Sequence, residues 1–286
     1  MRILISTAGS HGDVLPFVAL SRKFAALGHE VIFYANPFFR AYAMDAAIRF
    51  VPISTVDKYS SLFAELADGN SSRAFKRVAR EYAEICSEYY RAMKSDVILG
   101  ETIAVGNSLL FAHRLLRETD GIPCATVHLA PSVFRSNISP PRLVSNWIDS
   151  RTPTLLKHMA WWMLDKFFYD PSFTAPLNNL RFELGLPRLE RIFRSWIHEA
   201  DCVVGMFPDW FAEPQGDWPK QAILAGFPLY DHGDQAPLSQ SLGKFIEAGP
   251  PPVAFSAGTA TATAHGFFKA SIESCETAGL RAILLS

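Results

Sequence analysis

The sequence predicts a doubly wound α/β protein built on a parallel sheet. Short apolar, β-branched runs alternate with helix-like segments along most of the chain, the pattern of repeated βα units. The apolar runs are continuous rather than alternating with polar residues, as expected of strands covered on both faces. The opening stretch MRILISTAGSHGDVL supplies a strand, a glycine-containing break and the start of a helix.

The elements follow in order. Arg2–Thr7 reads as the first strand. Val14–Leu27 carries Phe17, Leu20, Phe24 and Leu27 at helical spacing, and Gly28 follows as its stop. Glu30–Ala35 is the second strand, Pro37–Ala47 a helix with proline in its first turn, and Arg49–Ser54 a short strand. Ser60–Met93 is helix-rich with a break at Gly69-Asn70. Asp96–Leu99 is expected as a strand, Gly106–Arg117 as a helix and Cys124–Leu129 as a strand. Residues 130–146 hold three prolines among serines and read as an irregular loop. Helices are expected at Thr154–Tyr169, Pro176–Leu184 and Leu189–His198, then strands at Cys202–Met206 and Ala222–Leu224.

A boundary falls near Pro228. Residues 1–229 form a first domain and 230–250 a linker ending at Gly249-Pro250. Residues 251–286 open a second unit with a strand at Val253–Ser256, a helix at Phe267–Ala278 and a strand at Arg281–Leu285. One βαβ unit cannot bury a parallel sheet on both faces by itself, so the second domain is expected to be incomplete.

Composition narrows the function classes. The 286 residues are 49% hydrophobic with a formal net charge of −1, which gives no electrostatic case for nucleic acid. Cys86, Cys124, Cys202 and Cys275 are scattered without a CxxC pair, the pattern of free thiols in a reducing cytoplasm. The N-terminus lacks the apolar core of a signal peptide. His158–Phe168 is aromatic-rich but too short to span a bilayer, leaving a packed helix or shallow membrane contact. No Cys/His cluster suggests a metal, and no cofactor is expected.

Ligands of open α/β sheets bind at the carboxyl ends of the strands, which places chemistry at the turn Gly9–Asp13. The turn lacks GxGxxG, and no GxxxxGK[ST] occurs, which argues against a dinucleotide or P-loop site. Asp13 is either the cap of the first helix or a general base. As a cap, the helix dipole would lower its pKa.

Gly12-Asp13-Val14-Leu15-Pro16-Phe17 resembles the GDVxPF signature of bacterial family-1 glycosyltransferases of GT-B fold, which the sterol and rhamnosyl transferases share. Arg191-Ile192-Phe193, Trp196, His198, Phe207-Pro208, Trp210-Phe211-Ala212, Asp217-Trp218-Pro219 and Gly226-Phe227-Pro228-Leu229 resemble rhamnolipid-pathway rhamnosyltransferases. The resemblance implies two Rossmann-like domains, acceptor-binding first and donor-binding second, with only the start of the second present. It implies inverting transfer of a hexose from a nucleoside diphosphate sugar to a hydroxyl on an apolar, lipid-like acceptor, without metal. A non-catalytic acceptor-binding module is the other reading. On the resemblance, Asp13 is the base and His11 its competitor on the same loop. Glu101 is placed on the same sheet edge, to pair with His11 or stand in water. His128 faces the acceptor cleft or serves the core. Trp161 and Trp162 wall an acceptor pocket or pack inside. Gly12, Ser256, Gly258 and Thr259 approach the donor diphosphate. The 286-residue chain alone is expected to be catalytically silent.

Overall fold

The computed structural model describes residues 1–44, 47–66, 71–141, 148–230, 238–258 and 264–285. β1 (Arg2–Ser6), α1 (His11–Ala26) and β2 (Glu30–Ala35) form the opening βαβ unit. β3 (Ile48–Pro52), α2 (Val56–Leu66), α3 (Ser71–Ser95), β4 (Thr102–Asn107), α4 (Ala112–Asp120) and β5 (Cys124–His128) follow. Then come α5 (Thr154–Leu164), α6 (Ala175–Glu183), β6 (Cys202–Gly205) and β7 (Ala222–Leu224).

These strands form one seven-stranded sheet in the order β3-β2-β1-β4-β5-β6-β7, with every pair parallel. The chain winds outward from β1 to β3, then returns to the other side of β1. The switch point therefore lies between β1 and β4, and the β1–α1 turn opens onto it.

The continuous apolar run of β1 serves two cores. Ile3 and Ile5 pack on one face with Val14, Phe17 and Val18 of α1. Leu4 packs on the other with Tyr89 and Met93 of α3 and Leu115 of α4. Side chains alternate across a strand, so both faces must be apolar. Pro16 lies in the second turn of α1 and has no N–H, so the Gly12 carbonyl lacks its helical partner, at a residue that is exposed.

Four sequence expectations need correction. Asp96–Leu99 is a turn, and the strand is β4, some residues later. The turn is pinned by the Asp96 carboxylate, which accepts from the Tyr34 hydroxyl and pairs with Arg49, and by the Thr102 hydroxyl, which accepts from Ile98 N–H. The helix expected at Gly106–Arg117 is accordingly β4's end followed by α4. Leu189–His198 is not a helix beyond one tight turn at Trp196–His198, because Arg191 takes φ +47° and breaks it. Pro37–Phe39 is a single tight turn capped by Asn36, whose side chain accepts from Phe38 N–H. The break expected at Gly69-Asn70 lies outside the described residues.

A buried network fixes the segment after α6. The Arg181 guanidinium is 1% exposed and donates both terminal nitrogens to Glu118 at 2.9 Å. Trp196 Nε1 donates to the same carboxylate at 2.7 Å.

The linker carries α7 (Gln240–Glu247), and the second unit holds β8 (Val253–Ser256), α8 (His265–Ala278) and β9 (Ala282–Leu285), with β8 and β9 paired parallel in a separate sheet. Arg281 donates to Pro250 O at 2.8 Å and stacks on Phe245, tying the linker to this unit. Val253, Phe267, Ile272, Leu280 and Leu285 remain exposed, as a lone βαβ unit requires. The four cysteines are free thiols. No helix among the described residues is long and apolar enough to cross a membrane.

Candidate active site

The β1–α1 turn builds the site from neighbouring residues. Ser10 is the N-cap of α1 and Asp13 its third helical residue. Asp13 Oδ2 accepts from Ser10 N–H at 2.8 Å and from the Ser10 hydroxyl at 3.0 Å. Oδ1 has no partner among the described residues. Gly9 takes φ +130°, and a Cβ there would stand 2.4 Å from Asp13 Oδ2. Only glycine allows the carboxylate to fold back against the turn. The turn is held from outside: Tyr89 donates to Thr7 O at 2.8 Å, and Asn107 Nδ2 donates to Ala8 O at 3.0 Å.

Asp13 stands at one wall of a cavity of about 230 Å³. The opposite wall is α3, through Val78, Tyr82, Ile85 and Tyr89, with Tyr59 and Leu62 of α2 above. Ser54, at φ +64°, and Lys58 lie at its rim. Burial raises the Asp13 carboxyl above its ordinary value, and the two bonds from Ser10 offset this only in part. The expected lowering by the helix dipole is therefore overturned: desolvation prevails. Burial and the Asp13 charge push Tyr59 up to about 12, and Tyr82 rises well above its usual value. Both phenols stay neutral at physiological pH and so cannot act as bases.

The structure separates the other expected site residues. His11 points away from this cavity; its Nε2 lies 3.2 Å from the Tyr42 hydroxyl, and its ring meets Phe38 and Phe39 edge-on. Gly12 is exposed on the first turn of α1, with open space around it. Glu101 precedes β4 and its carbonyl accepts from Arg2 N–H, so it lies at the amino end of the sheet. Its placement at the carboxyl edge followed from reading Asp96–Leu99 as the strand, and is corrected here.

His128 is fully buried, with Nδ1 2.7 Å from Ser108 Oγ and Nε2 3.0 Å from His198 Nδ1. Both ring nitrogens are engaged, and burial beside His198 holds the imidazole well below its ordinary pKa. It is a core residue and not an acceptor ligand. Trp161 and Trp162 of α5 line a second, polar cavity with Arg135, Arg191 and Arg194, and do not wall the cavity around Asp13.

Ser256 ends β8, and its hydroxyl accepts from Gly258 N–H at 3.3 Å. Gly258 takes φ +80° with open space at its Cβ position. Thr259 lies outside the described residues. No group of three or more His, Cys, Asp or Glu able to hold a metal occurs among the described residues.

Sequence reasoning missed the tyrosine wall. Its signal was present: Val78, Tyr82, Ile85 and Tyr89 recur at helical spacing within a polar helix.

Known proteins resemble this chain in sequence and in fold. Residues 3–138 match the glycosyltransferase family 28 N-terminal domain. The glycosyltransferase GtfC of Amycolatopsis orientalis is 28% identical over 100% of this chain and 67% of its own length. The vancomycin aglycone glucosyltransferase of the same organism is 27% identical over 99% of this chain and 67% of its own. The chain thus spans about two thirds of these relatives. Among solved structures, the glycosyltransferase of kitacinnamycin superposes with a TM-score of 0.62 at 16% identity, over 99% of this chain and 64% of that one. SsfS6 of Streptomyces sp. SF2575, complexed with thymidine diphosphate, superposes at 0.54 and 16% identity, over 99% and 67%. The fold is that of the GT-B glycosyltransferases. The relatives named here are glycosyltransferases, one of them of the vancomycin aglycone, and none is a rhamnolipid or sterol enzyme of the kind the motif resemblance pointed to.

Proposed function

We propose that this chain carries the acceptor-binding domain, and the opening of the donor-binding domain, of an inverting GT-B glycosyltransferase. It moves a hexose from a nucleoside diphosphate sugar to a hydroxyl of an apolar acceptor. One observation carries the reading: a half-buried carboxylate with one free oxygen faces an apolar, tyrosine-walled cavity at the switch point of the sheet.

The chemistry follows from that arrangement. Ser10 holds Oδ2 and leaves Oδ1 to accept the proton of the acceptor hydroxyl. The hydroxyl oxygen attacks the anomeric carbon, the bond from that carbon to the diphosphate oxygen breaks, and the nucleoside diphosphate leaves. A raised carboxyl pKa makes Asp13 a stronger base than an exposed aspartate. The apolar walls select an apolar acceptor and exclude water, which would otherwise compete as nucleophile. The Ser256–Gly258 turn offers the Ser256 hydroxyl proton toward the diphosphate, its oxygen held by the Gly258 N–H.

The test is Asp13→Asn in a protein with a full donor-binding domain, assayed with nucleoside diphosphate sugars and apolar alcohols. Turnover should fall about 10²- to 10⁴-fold. His11→Ala should cost less, because its ring sits in the Phe38–Phe39–Tyr42 cluster. Near-normal turnover by Asp13→Asn overturns the assignment. A second reading, an acceptor-binding module, is favoured by how little the βαβ unit of residues 251–286 buries. A polypeptide of residues 1–286 should bind acceptor, hold nucleotide weakly and show no transfer; ordinary turnover from it refutes this.

A further inference from the structure

The cavity bordered by Trp161 and Trp162 has a chemistry of its own. It measures about 290 Å³ and shares no lining residue with the cavity around Asp13. Four segments distant in sequence build it: the loop after β5, α5, the stretch before β6 and the loop between β6 and β7.

Its charges do not cancel. Arg135 pairs with Asp165 at 2.5 Å, and the two side chains are 11% and 3% exposed. The same guanidinium is sandwiched among the rings of Trp161, Tyr169 and Phe193. Asp217 is also occupied, accepting from the Ser136 hydroxyl at 2.8 Å and Asn137 N–H at 2.6 Å. Arg191 and Arg194 also line the cavity, and neither guanidinium makes a hydrogen bond or ion pair among the described residues, Arg191 acting on Asp165 only at longer range. Asn137 adds an unmet need of the opposite kind: its Oδ1 is buried and accepts no hydrogen bond.

The backbone is strained at the same place. Among the described residues, three that are not glycine have positive φ, and two of them, Arg135 at +53° and Arg191 at +47°, border this cavity. Glycine would adopt these angles without the Cβ penalty. Arginine there is held by its surroundings, with Arg191 N–H donating to Asp170 Oδ1 at 3.1 Å. Strain kept in place this way clusters at active sites, ligand clamps and switch regions.

We propose that this cavity is a second ligand site, for a hydroxylated ring compound that bears one oxyanion. Arg191 and Arg194 take the oxyanion, since two guanidinium groups offer planar paired donors to a carboxylate or a phosphate. A ligand hydroxyl donates to Asn137 Oδ1. The indoles of Trp161 and Trp162 flank the ring. The carboxylate and phosphate sources share this chemistry and differ in charge and size.

Titration calorimetry on residues 1–286 tests the proposal, with glucose 6-phosphate and 4-hydroxybenzoate as the two arms. Glucose, 4-hydroxybenzyl alcohol and inorganic phosphate complete the set. One of the two arms should bind, and its uncharged counterpart should bind roughly tenfold more weakly or less. The double variant Arg191→Gln, Arg194→Gln should weaken that arm by roughly tenfold or more, with an unchanged thermal midpoint. If the variant does not fold, the charged and uncharged comparison on the unaltered chain decides. The proposal fails if neither arm binds at about 10 mM, or if the double variant binds as the parent does. It fails also if inorganic phosphate alone binds as tightly as either ring compound.

Discussion

Replacing Gly9 with alanine sets a methyl group against the proposed base. The alanine Cβ would stand 2.4 Å from Asp13 Oδ2 and 2.6 Å from both Asp13 Cβ and Cγ. Asp13 Cβ is fixed to α1, so no flexible side-chain end can yield. Either the first turn of α1 moves or the carboxylate rotates and gives up its two bonds from Ser10. Hydrogen bonds to a charged group contribute about 1.5–3 kcal/mol each. The φ of +130° adds about 1–3 kcal/mol of strain for any residue with a Cβ. With partial relaxation the cost should be about 3–5 kcal/mol. Gly12→Ala is the matched control on the same turn. Its Cβ would meet only Ser10 Oγ, at 3.7 Å, and alanine favours a helix over glycine by about 0.5–1 kcal/mol. Urea unfolding followed by circular dichroism and tryptophan fluorescence should show Gly9→Ala strongly destabilised and Gly12→Ala unchanged or stabilised. Equal midpoints for the two variants would refute the close approach of carboxylate and turn.

Three further outcomes are expected. Burial raises the Asp13 carboxyl in the fold, so its contribution to stability is present below the unfolded pKa and lost as pH rises through the folded value. At pH 7 the ionised form is a net cost, and Asp13→Asn should melt no lower than the parent; a clearly lower midpoint would contradict this. His113, His128 and His198 are held neutral by burial, His113 at about 3 and His198 at about 4. Unfolding takes up their protons once pH falls below the unfolded value near 6.5, so stability should fall by up to about 4 kcal/mol per pH unit there. Urea midpoints measured from pH 7 to pH 5 check this, and a flat profile would show that the histidines protonate in the fold. Glu118→Ala strands the buried Arg181 guanidinium and should cost about 3–5 kcal/mol by urea unfolding, whereas Glu118→Gln should cost less.

What could be read from the sequence follows its range of interaction. The β1–α1 turn was legible because Gly9, Ser10 and Asp13 act on one another within a few residues. The boundaries of β2, β7 and the second βαβ unit followed from continuous apolar runs with clear breaks. Asp96–Leu99 misled because an apolar run of that length suits a turn beneath a sheet as well as a strand. Tyr34 and Arg49, both from elsewhere in the chain, decide between them, with the nearby Thr102 hydroxyl closing the turn. Leu189–His198 misled in another way. Ile192, Phe193, Trp196 and Ile197 have helical spacing, yet they bury as an irregular segment because the Arg181–Glu118–Trp196 network anchors it. His128 could not be told from a ligand by position at a strand end, since its partners Ser108 and His198 are remote.

The two parts of the proposed site are therefore coded differently. The proposed base is set by a turn that is almost self-sufficient: Gly9 gives room, Ser10 holds one oxygen, and burial does the tuning. The acceptor cavity depends on α2 and α3, which meet the turn only through packing and through the Tyr89 bond to Thr7 O. Side chains at Tyr59, Leu62, Val78, Tyr82 and Ile85 can change size without touching the Ser10–Asp13 hydrogen bonds. On the proposed function, catalytic competence and acceptor choice are thereby separable. A glycosyltransferase built this way can change its acceptor by substitutions on two helices while keeping one turn intact. Tyr89 is the exception on that wall, because its hydroxyl also holds the turn, and its loss would disturb both properties at once.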